Sequence, residues 1–234
     1  DILKDASATA IYGSRGANGV IVITTKSGKK GTGKLTYDTY FASQTQSKLL
    51  DVMTLSQFAA QQNALAVQTG RDDALRAEFA KPELLGSGTN WQKEIYKTGM
   101  LASHQLSFSG GKDGMNYYVS GGYVNQEGTV IGSSYKRYNF KTNLDSKVKD
   151  WLKIGVNIST GISNENITLN GSSSGIISTS ILGSPEVAVW NTDGTYAGPP
   201  PTVAGRPSYN FINPVAAALL KTNNLIRKSF MGNF

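Results

Sequence analysis

Residues 137–160 read RYNFKTNLDSKVKDWLKIGVNIST, and this stretch decides the fold. Apolar and polar side chains alternate in two runs, 137–146 and 151–160. A period of two is that of a β-strand with two unlike faces, and the link at 146–150 is short enough for a tight turn. The stretch therefore predicts an antiparallel pair of strands. Its apolar face carries Tyr138, Phe140, Leu144, Leu152, Ile154, Val156 and Ile158, and its polar face carries Asn139, Lys141, Asn143, Asp145 and Asn157.

The same pattern, or a turn signal next to it, predicts four more strands. They cover residues 33–46, 104–111, 116–126 and 228–234. Asp113-Gly114 between the second and third strands is a strong hairpin signal. The connections alternate strictly between tight turns and long excursions, which cover 47–103, 127–136 and 161–227.

This alternation is typical of an outer-membrane β-barrel, which has tight turns at one rim and long extracellular loops at the other. Strands of about ten residues also match the roughly 9–11 residues that cross a bilayer at a tilt. A soluble secreted β-sandwich, acting as an adhesin or glycan-binding module, is the alternative. Strand alternation alone does not tell whether the apolar face meets lipid or a second sheet.

The composition excludes several classes of site. The 234 residues contain no cysteine and one histidine, so disulfide scaffolds, thiolate metal centres and histidine-rich metal sites are excluded. The formal net charge of +7 is spread along the chain without a basic face, so we expect no nucleic-acid partner. No apolar run reaches the roughly 20 residues of a membrane helix, and we expect no cofactor.

The first part of the chain has a different pattern. Residues 5–12 suit a short helix that stops at Gly13, and a glycine-rich turn leads to a β-branched run at 20–26. That run predicts a strand covered on both faces. In the first excursion, residues 54–67 predict a helix with Thr54 as its cap. The third excursion is rich in Ser, Gly, Asn and Pro and predicts irregular structure.

Residues 3–26 read LKDASATAIYGSRGANGVIVITTK, and this run resembles the end of the plug domain of SusC/RagA-type TonB-dependent transporters of the Bacteroidota. Weaker similarities continue at 116–123, 126–128, 143–147 and 193–196. The resemblance implies that structural plug positions fall on Lys4, Asp5, Tyr12, Gly13, Arg15, Gly16, Asn18 and Gly19.

The resemblance also implies a fold and a function. The chain would be mainly β, a partial antiparallel transmembrane barrel of about six strands out of about 22, preceded by the last helix and strand of a plug. Residues 1–30 would belong to the plug and 31–234 to the barrel. The function implied is TonB-dependent import across the outer membrane of a large nutrient, a glycan in preference to a peptide, and not enzymatic catalysis. The implied partners are a SusD-like lipoprotein lid, outer-membrane lipid and TonB. We expect the segment that contacts TonB, and a signal peptide, to lie upstream of this sequence.

Other motifs favour structural roles. Gly13, Gly16 and Gly19 precede a strand, whereas nucleotide-binding glycines follow one, so we assign them to a turn. The G-x-S-x-G pattern around Ser173 lacks a preceding strand and a downstream histidine, so an esterase is a remote third alternative. Asp72 and Asp73 have no metal-ligand spacing. His104 opens its predicted strand, which suggests a polar rim position.

The aromatic residues divide into two groups. Tyr117, Tyr123, Tyr138 and Trp151 lie near predicted strand ends, as in the aromatic girdles at a membrane boundary. Trp190, Asp193 and Tyr196 lie in the third excursion, where exposed rings could stack on a sugar. We take these three residues as candidates for substrate contact.

Overall fold

The computed structural model describes residues 2–5, 10–16, 18–22, 26, 28, 30–71, 74–168, 174–199 and 211–234. Six strands form one antiparallel sheet in which each strand pairs with its neighbours in sequence, so the six predicted strands are confirmed. They are β3 (Gly31–Gln44), β4 (Gly99–Lys112), β5 (Met115–Glu127), β6 (Ser134–Lys149), β7 (Leu152–Asn166) and β8 (Asn224–Asn233).

A second sheet consists only of β1 (Ile2–Leu3) and β2 (Val20–Ile21), which pair antiparallel. The expectation that the 20–26 run is covered on both faces is wrong for Ile21, which is 71% exposed. Its only strand partner among the described residues is the two-residue β1. Residues 23–25 of that run lie outside the described part of the chain.

The predicted helix at 5–12 is only partly testable, since residues 6–9 lie outside the described part. The helical residues observed are a 3₁₀ segment, Ala10–Gly16, which is kinked at Gly13 (φ 62°, ψ −152°). Gly13 therefore interrupts the helical segment instead of ending it. Its positive φ is a conformation that glycine adopts without steric cost.

Tight turns close one end of the six-stranded sheet. Asp113 (φ 52°) and Gly114 (φ 82°) both have positive φ and form a two-residue turn between β4 and β5. Such turns match the twist of the flanking strands. Five of the six strands are longer than predicted, whereas β3 has the predicted 14 residues and begins two positions earlier. β4 begins at Gly99, which pairs with Gln44. The expectation that His104 opens this strand is therefore wrong, because His104 lies inside it, between Thr39 and Tyr123.

Three loops occupy the other end of the sheet, and we call them L1 (45–98), L2 (128–133) and L3 (167–223). L1 contains the predicted helix, α1 (Leu55–Gln68), which begins with a full capping box between Thr54 and Gln57. It also contains two 3₁₀ turns, Ala77–Phe79 and Pro82–Leu84, and the short α2 (Trp91–Ile95).

L3 is not simply irregular, contrary to the expectation from its composition. It contains α3 (Ile176–Leu182) and α4 (Pro214–Leu220). Asn213 caps α4, since its side-chain oxygen accepts hydrogen bonds from Val215 N (3.1 Å) and Ala216 N (3.2 Å). Asn-Pro before an apolar run is a helix-start signal that the sequence does carry.

The main buried apolar core lies in the loops and not on the sheet. Its described members come from L1, L2 and L3 alone: Trp91, Ile95, Val130, Ile176, Val187, Ala197, Val215, Ala217 and Ala218. Trp91 is 1% exposed, and its indole nitrogen donates to Ser184 O at 2.9 Å. Backbone hydrogen bonds from Lys97 N to Thr129 O (2.8 Å) and from Ile131 N to Ile95 O (2.9 Å) join L1 to L2. The loops therefore form one packed assembly at the end of the sheet opposite the tight turns.

Within the described residues, none of the helices combines the length and the apolar character needed to cross a membrane.

Candidate functional site

The six-stranded sheet has two unlike faces, which its register fixes. Residues directly opposite one another lie on the same face, so Tyr37, Leu106, Gly121, Phe140, Thr160 and Phe230 form one continuous row across all six strands. We call this side the apolar face. Its large side chains are exposed: Leu35 is 67% exposed, Phe41 63% and Phe140 44%. No second sheet of comparable size is present in the described part of the chain to cover it.

The opposite side, which we call the polar face, carries the predicted polar set. Asn143 pairs directly with Asn157 on β7 and with Tyr118 on β5. Lys141 and Asp145 flank Asn143 on the same face of β6, two residues away on either side. The assignment of faces read from residues 137–160 is thus the one in the structure.

The opening segment of the chain contacts the polar face. Asn143 Nδ2 donates a hydrogen bond to the backbone carbonyl of Lys26 at 2.6 Å, and Asn143 is only 2% exposed. Gly28 lies so close to β4 and β5 that a Cβ atom there would be 2.4 Å from Tyr117 N and 2.7 Å from Gly110 O. The chain reaches this contact immediately before it enters β3.

The described residues of the plug-like motif lie on turns and short elements. Gly19 has φ 94°, its amide donates to Gly16 O at 2.9 Å, and a Cβ atom on it would lie 3.2 Å from Leu3 O. Lys4, Asp5, Tyr12 and Arg15 are exposed. Asn18 is also exposed, next to Gly19. Gly13 and Gly19 therefore occupy positions that favour glycine for its backbone conformation.

The three candidate substrate residues come together at the tip of a small hairpin in L3. Trp190 and Tyr196 form an isolated antiparallel bridge, and their rings stack with centroids 4.1 Å apart. Trp190 is 50% exposed. Asp193 lies in the turn between them, where its Oδ1 accepts hydrogen bonds from Thr195 N (2.9 Å) and Thr195 Oγ1 (2.6 Å). Both hydrogen bonds lower the pKa of Asp193, and the one from the Thr195 hydroxyl has the larger effect.

Sequence reasoning did not find a cleft of about 500 Å³ where the loops meet the polar face. We call it the rim cleft. Side chains at the loop ends of β3, β5, β6 and β7 line it, together with residues of all three loops: Gln44, Gln46, Tyr96, Gln126, Thr129, Ser133, Tyr135, Glu165, Asn166 and Ile177 among them. Only the strand register brings these residues together, so sequence pattern alone carried no signal for the cleft.

The candidate girdle residues lie at two levels of the sheet. Tyr123 and Tyr138 pair directly near the loop end, with ring centroids 4.9 Å apart. Tyr117 and Trp151 lie near the tight turns, and Trp151 is 77% exposed. His104 belongs to the group near the loop end, because its ring stacks on Tyr123. Its Nδ1 lies 2.6 Å from the hydroxyl of Tyr37.

The remaining candidates contribute no site in the described structure. Ser173 and the pair Asp72 and Asp73 lie outside the described residues. Within the described ranges, no group of three or more His, Asp or Glu side chains is placed to hold a metal ion.

Comparison with known proteins gives consistent results. The chain is 36% identical over 202 residues to TonB-dependent receptor P3 of Formosa agariphila, covering 84% of this chain and 19% of that protein. It is 37% identical over 158 residues to TonB-dependent receptor SusC of Bacteroides thetaiotaomicron, covering 67% of this chain and 15% of that protein. The chain thus spans about a fifth or less of the length of these curated relatives. A scan against models of protein families gives no match.

The solved structures agree. The RagAB peptide importer in its closed-closed state matches with a TM-score of 0.67 and 30% identity, over 92% of this chain and 27% of that one. The match confirms the predicted fold class, six antiparallel strands of a larger barrel. The names of the matched proteins are those of receptors and importers, which confirms the expectation that the chain is not an enzyme.

Proposed function

Because the chain belongs to the SusC/RagA-type TonB-dependent transporters, we propose that it supplies a section of barrel wall and the adjoining end of a plug to an outer-membrane importer. In this proposal residues 1–30 are plug and residues 31–234 are wall and extracellular loops. The cargo is a nutrient too large for passive diffusion through a porin.

The observation that carries the proposal is the two-faced sheet with the opening segment on its polar side. An exposed face of Leu35, Phe41 and Phe140 is costly in water and favourable against lipid. The hydrogen bond from Asn143 to Lys26 supports the proposed plug, because it joins the opening segment to the opposite, polar face. The loop assembly then lies at the extracellular rim, and the tight turns lie at the periplasmic rim.

Partners follow from this orientation. A SusD-like lipoprotein would cover the loop end of the wall, and TonB would act on the plug from the periplasmic side. The structural plug positions Lys4, Asp5, Tyr12, Gly13, Arg15, Gly16, Asn18 and Gly19 would shape the last part of that plug. The aromatic residues at two levels, such as Tyr138 and Trp151, would meet the two boundaries of the outer membrane.

For the cargo we favour an oligosaccharide. The stacked pair Trp190 and Tyr196 presents aromatic surface at a loop tip, and half of Trp190 is exposed. Such rings stack on the apolar faces of sugars, with Asp193 beside them as a hydrogen-bond acceptor. A peptide is the second candidate, favoured by the likeness to the RagAB peptide importer.

Deletion of the gene that encodes this chain tests the function. The deletion strain should lose growth on oligosaccharides that pass too slowly through porins, and a plasmid copy should restore it. Dissipation of the proton gradient should stop uptake in the restored strain, as expected for TonB coupling. If the deletion strain lost growth on oligopeptides but not on oligosaccharides, the cargo would be a peptide and not an oligosaccharide. Recovery of the intact protein from cells in buffer without detergent would refute the importer.

A further inference from the structure

Building on the proposed import function, we propose that the rim cleft is a binding site for a neutral oligosaccharide. The site is distinct from the hairpin of Trp190 and Tyr196, since neither ring lines the cleft. It lies where the loops meet the polar face, so a cargo passing from the loop end into the barrel would contact it.

The centre of the cleft is a row of three polar side chains on neighbouring strands. Gln126 on β5 lies directly opposite Tyr135 on β6, and Tyr135 lies directly opposite Glu165 on β7. Adjacent strands are about 4.8 Å apart, so an amide, a phenol and a carboxylate follow one another across about 10 Å. All three residues are partly buried, and all three line the cleft.

Neighbouring side chains hold two members of this row in place. Gln126 Nε2 donates to Gln44 Oε1 at 3.0 Å, so its amide is oriented. Arg227 on β8 donates to Glu165 Oε1 and forms an ion pair with it. The row is therefore preorganised, which lowers the entropy that a ligand loses by ordering the site.

The chemistry of the row suits hydroxyl groups. Sugar hydroxyls both donate and accept hydrogen bonds, and amides, phenols and carboxylates offer both functions between them. The rings of Tyr96 and Tyr135 also line the cleft and add aromatic surface. A volume of about 500 Å³ is within the range of small-ligand sites.

The charge of the cleft selects against acidic ligands. Among the described residues that line it, Glu165 alone carries a formal charge, and that charge is negative. Arg227 on β8 does not line the cleft, and it is paired with Glu165. A uronate, a sulfate ester or the carboxylate of a free peptide would lose its hydration without gaining a cation from the residues that line the cleft. A neutral polyhydroxylated chain meets no such penalty.

The test measures binding to the intact purified protein in detergent by isothermal titration calorimetry. The ligands are neutral hexasaccharides of glucose, xylose and mannose, the acidic hexagalacturonate, and a hexapeptide of Gly and Ser. At least one neutral hexasaccharide should bind. Glu165→Gln and Tyr135→Phe should each weaken that binding about tenfold, as the loss of one good hydrogen bond to a ligand does.

Asn164→Ala is the matched control, because Asn164 adjoins Glu165 on β7 and lies on the opposite face. It should leave the affinity unchanged. The proposal is overturned if no neutral hexasaccharide binds, if only hexagalacturonate or the peptide binds, or if both cleft variants bind as tightly as the parent protein. The gene deletion tests the import function separately. If import is confirmed there and one of these binding results is obtained, the cleft proposal is rejected and the import function stands.

Discussion

Asn143 and Lys26 are 117 positions apart in the sequence and are joined by a hydrogen bond of 2.6 Å from the side-chain amide to the backbone carbonyl. Asn143 belongs to the sheet and Lys26 to the opening segment, so this contact fixes one to the other. The amide must face Lys26 with its nitrogen, because a carbonyl can only accept. The bond is sheltered from water, since Asn143 is 2% exposed.

Asn143→Ala should loosen the opening segment. The change removes the donor and leaves a gap under the segment, which should raise the rate of tryptic cleavage of the intact protein after Lys26 about tenfold if the contact is worth about 1.4 kcal/mol. Asn157→Ala is the control, since Asn157 pairs with Asn143 on the same face and is exposed. Equal cleavage rates in the two variants would contradict this role of Asn143.

Gly28→Ala should disturb the same contact by a different route. The added Cβ atom would lie 2.4 Å from backbone atoms of Tyr117, and backbone on a paired strand cannot give way cheaply. We expect a loss of about 1–3 kcal/mol in the free energy of unfolding, as for other overpacked sites, together with faster cleavage after Lys26. Gly121→Ala, where a Cβ atom would meet nothing within 4 Å, should leave both measurements unchanged. Similar behaviour of the two alanine variants would refute the close approach.

Trp91→Ala should unfold the loop assembly without separating the strands. Trp91 is 1% exposed and joins α2 to L3 through Ser184 O, so its truncation should cost about 3–5 kcal/mol. The measurement is limited proteolysis of the intact protein, with new cleavage expected inside L1 and L3 and circular dichroism of the strands retained. Trp151→Ala, at an exposed turn residue, should change neither. A Trp91→Ala variant with protected loops would show that the core does not depend on this ring.

Acid should open the hairpin of Trp190 and Tyr196. The hydrogen bonds from Thr195 lower the pKa of Asp193 in the folded hairpin. A lowered folded pKa stabilises the hairpin above the ordinary carboxyl pKa of about 4, and this stabilisation is lost as the pH falls through the folded value. Trp190 fluorescence, measured as the difference between the parent protein and Trp190→Phe, should change below about pH 4.

Asp193→Asn provides the control for the acid effect. Its side-chain oxygen still accepts from Thr195, but the group does not titrate, so the fluorescence change below about pH 4 should disappear. Persistence of the change in this variant would assign it to another group.

The strands and their faces could be predicted from the sequence, because a period of two survives wherever one face is apolar, as from Tyr138 to Leu144. Their ends were less predictable. The predicted strand begins at His104, which puts this residue at a rim, whereas pairing with β3 extends β4 back to Gly99. Strand ends depend on the partner strand, which a local pattern does not contain.

The loop core and the rim cleft depend on contacts between distant parts of the chain. The short α3, with seven residues, is too short to be stable alone and exists because it packs against Trp91 and its neighbours. Likewise, Gln126, Tyr135 and Glu165 form a row only once the register of three strands is known. No local periodicity marks any of these residues.

The loop assembly has a core of its own, and within the described ranges no strand contributes a residue to it. A unit that folds around its own interior can be replaced without repacking the scaffold on which it stands. If the chain has the proposed import function, replacing L1, L2 and L3 together by those of a relative should therefore yield a chimera that still inserts into the outer membrane and imports a different cargo.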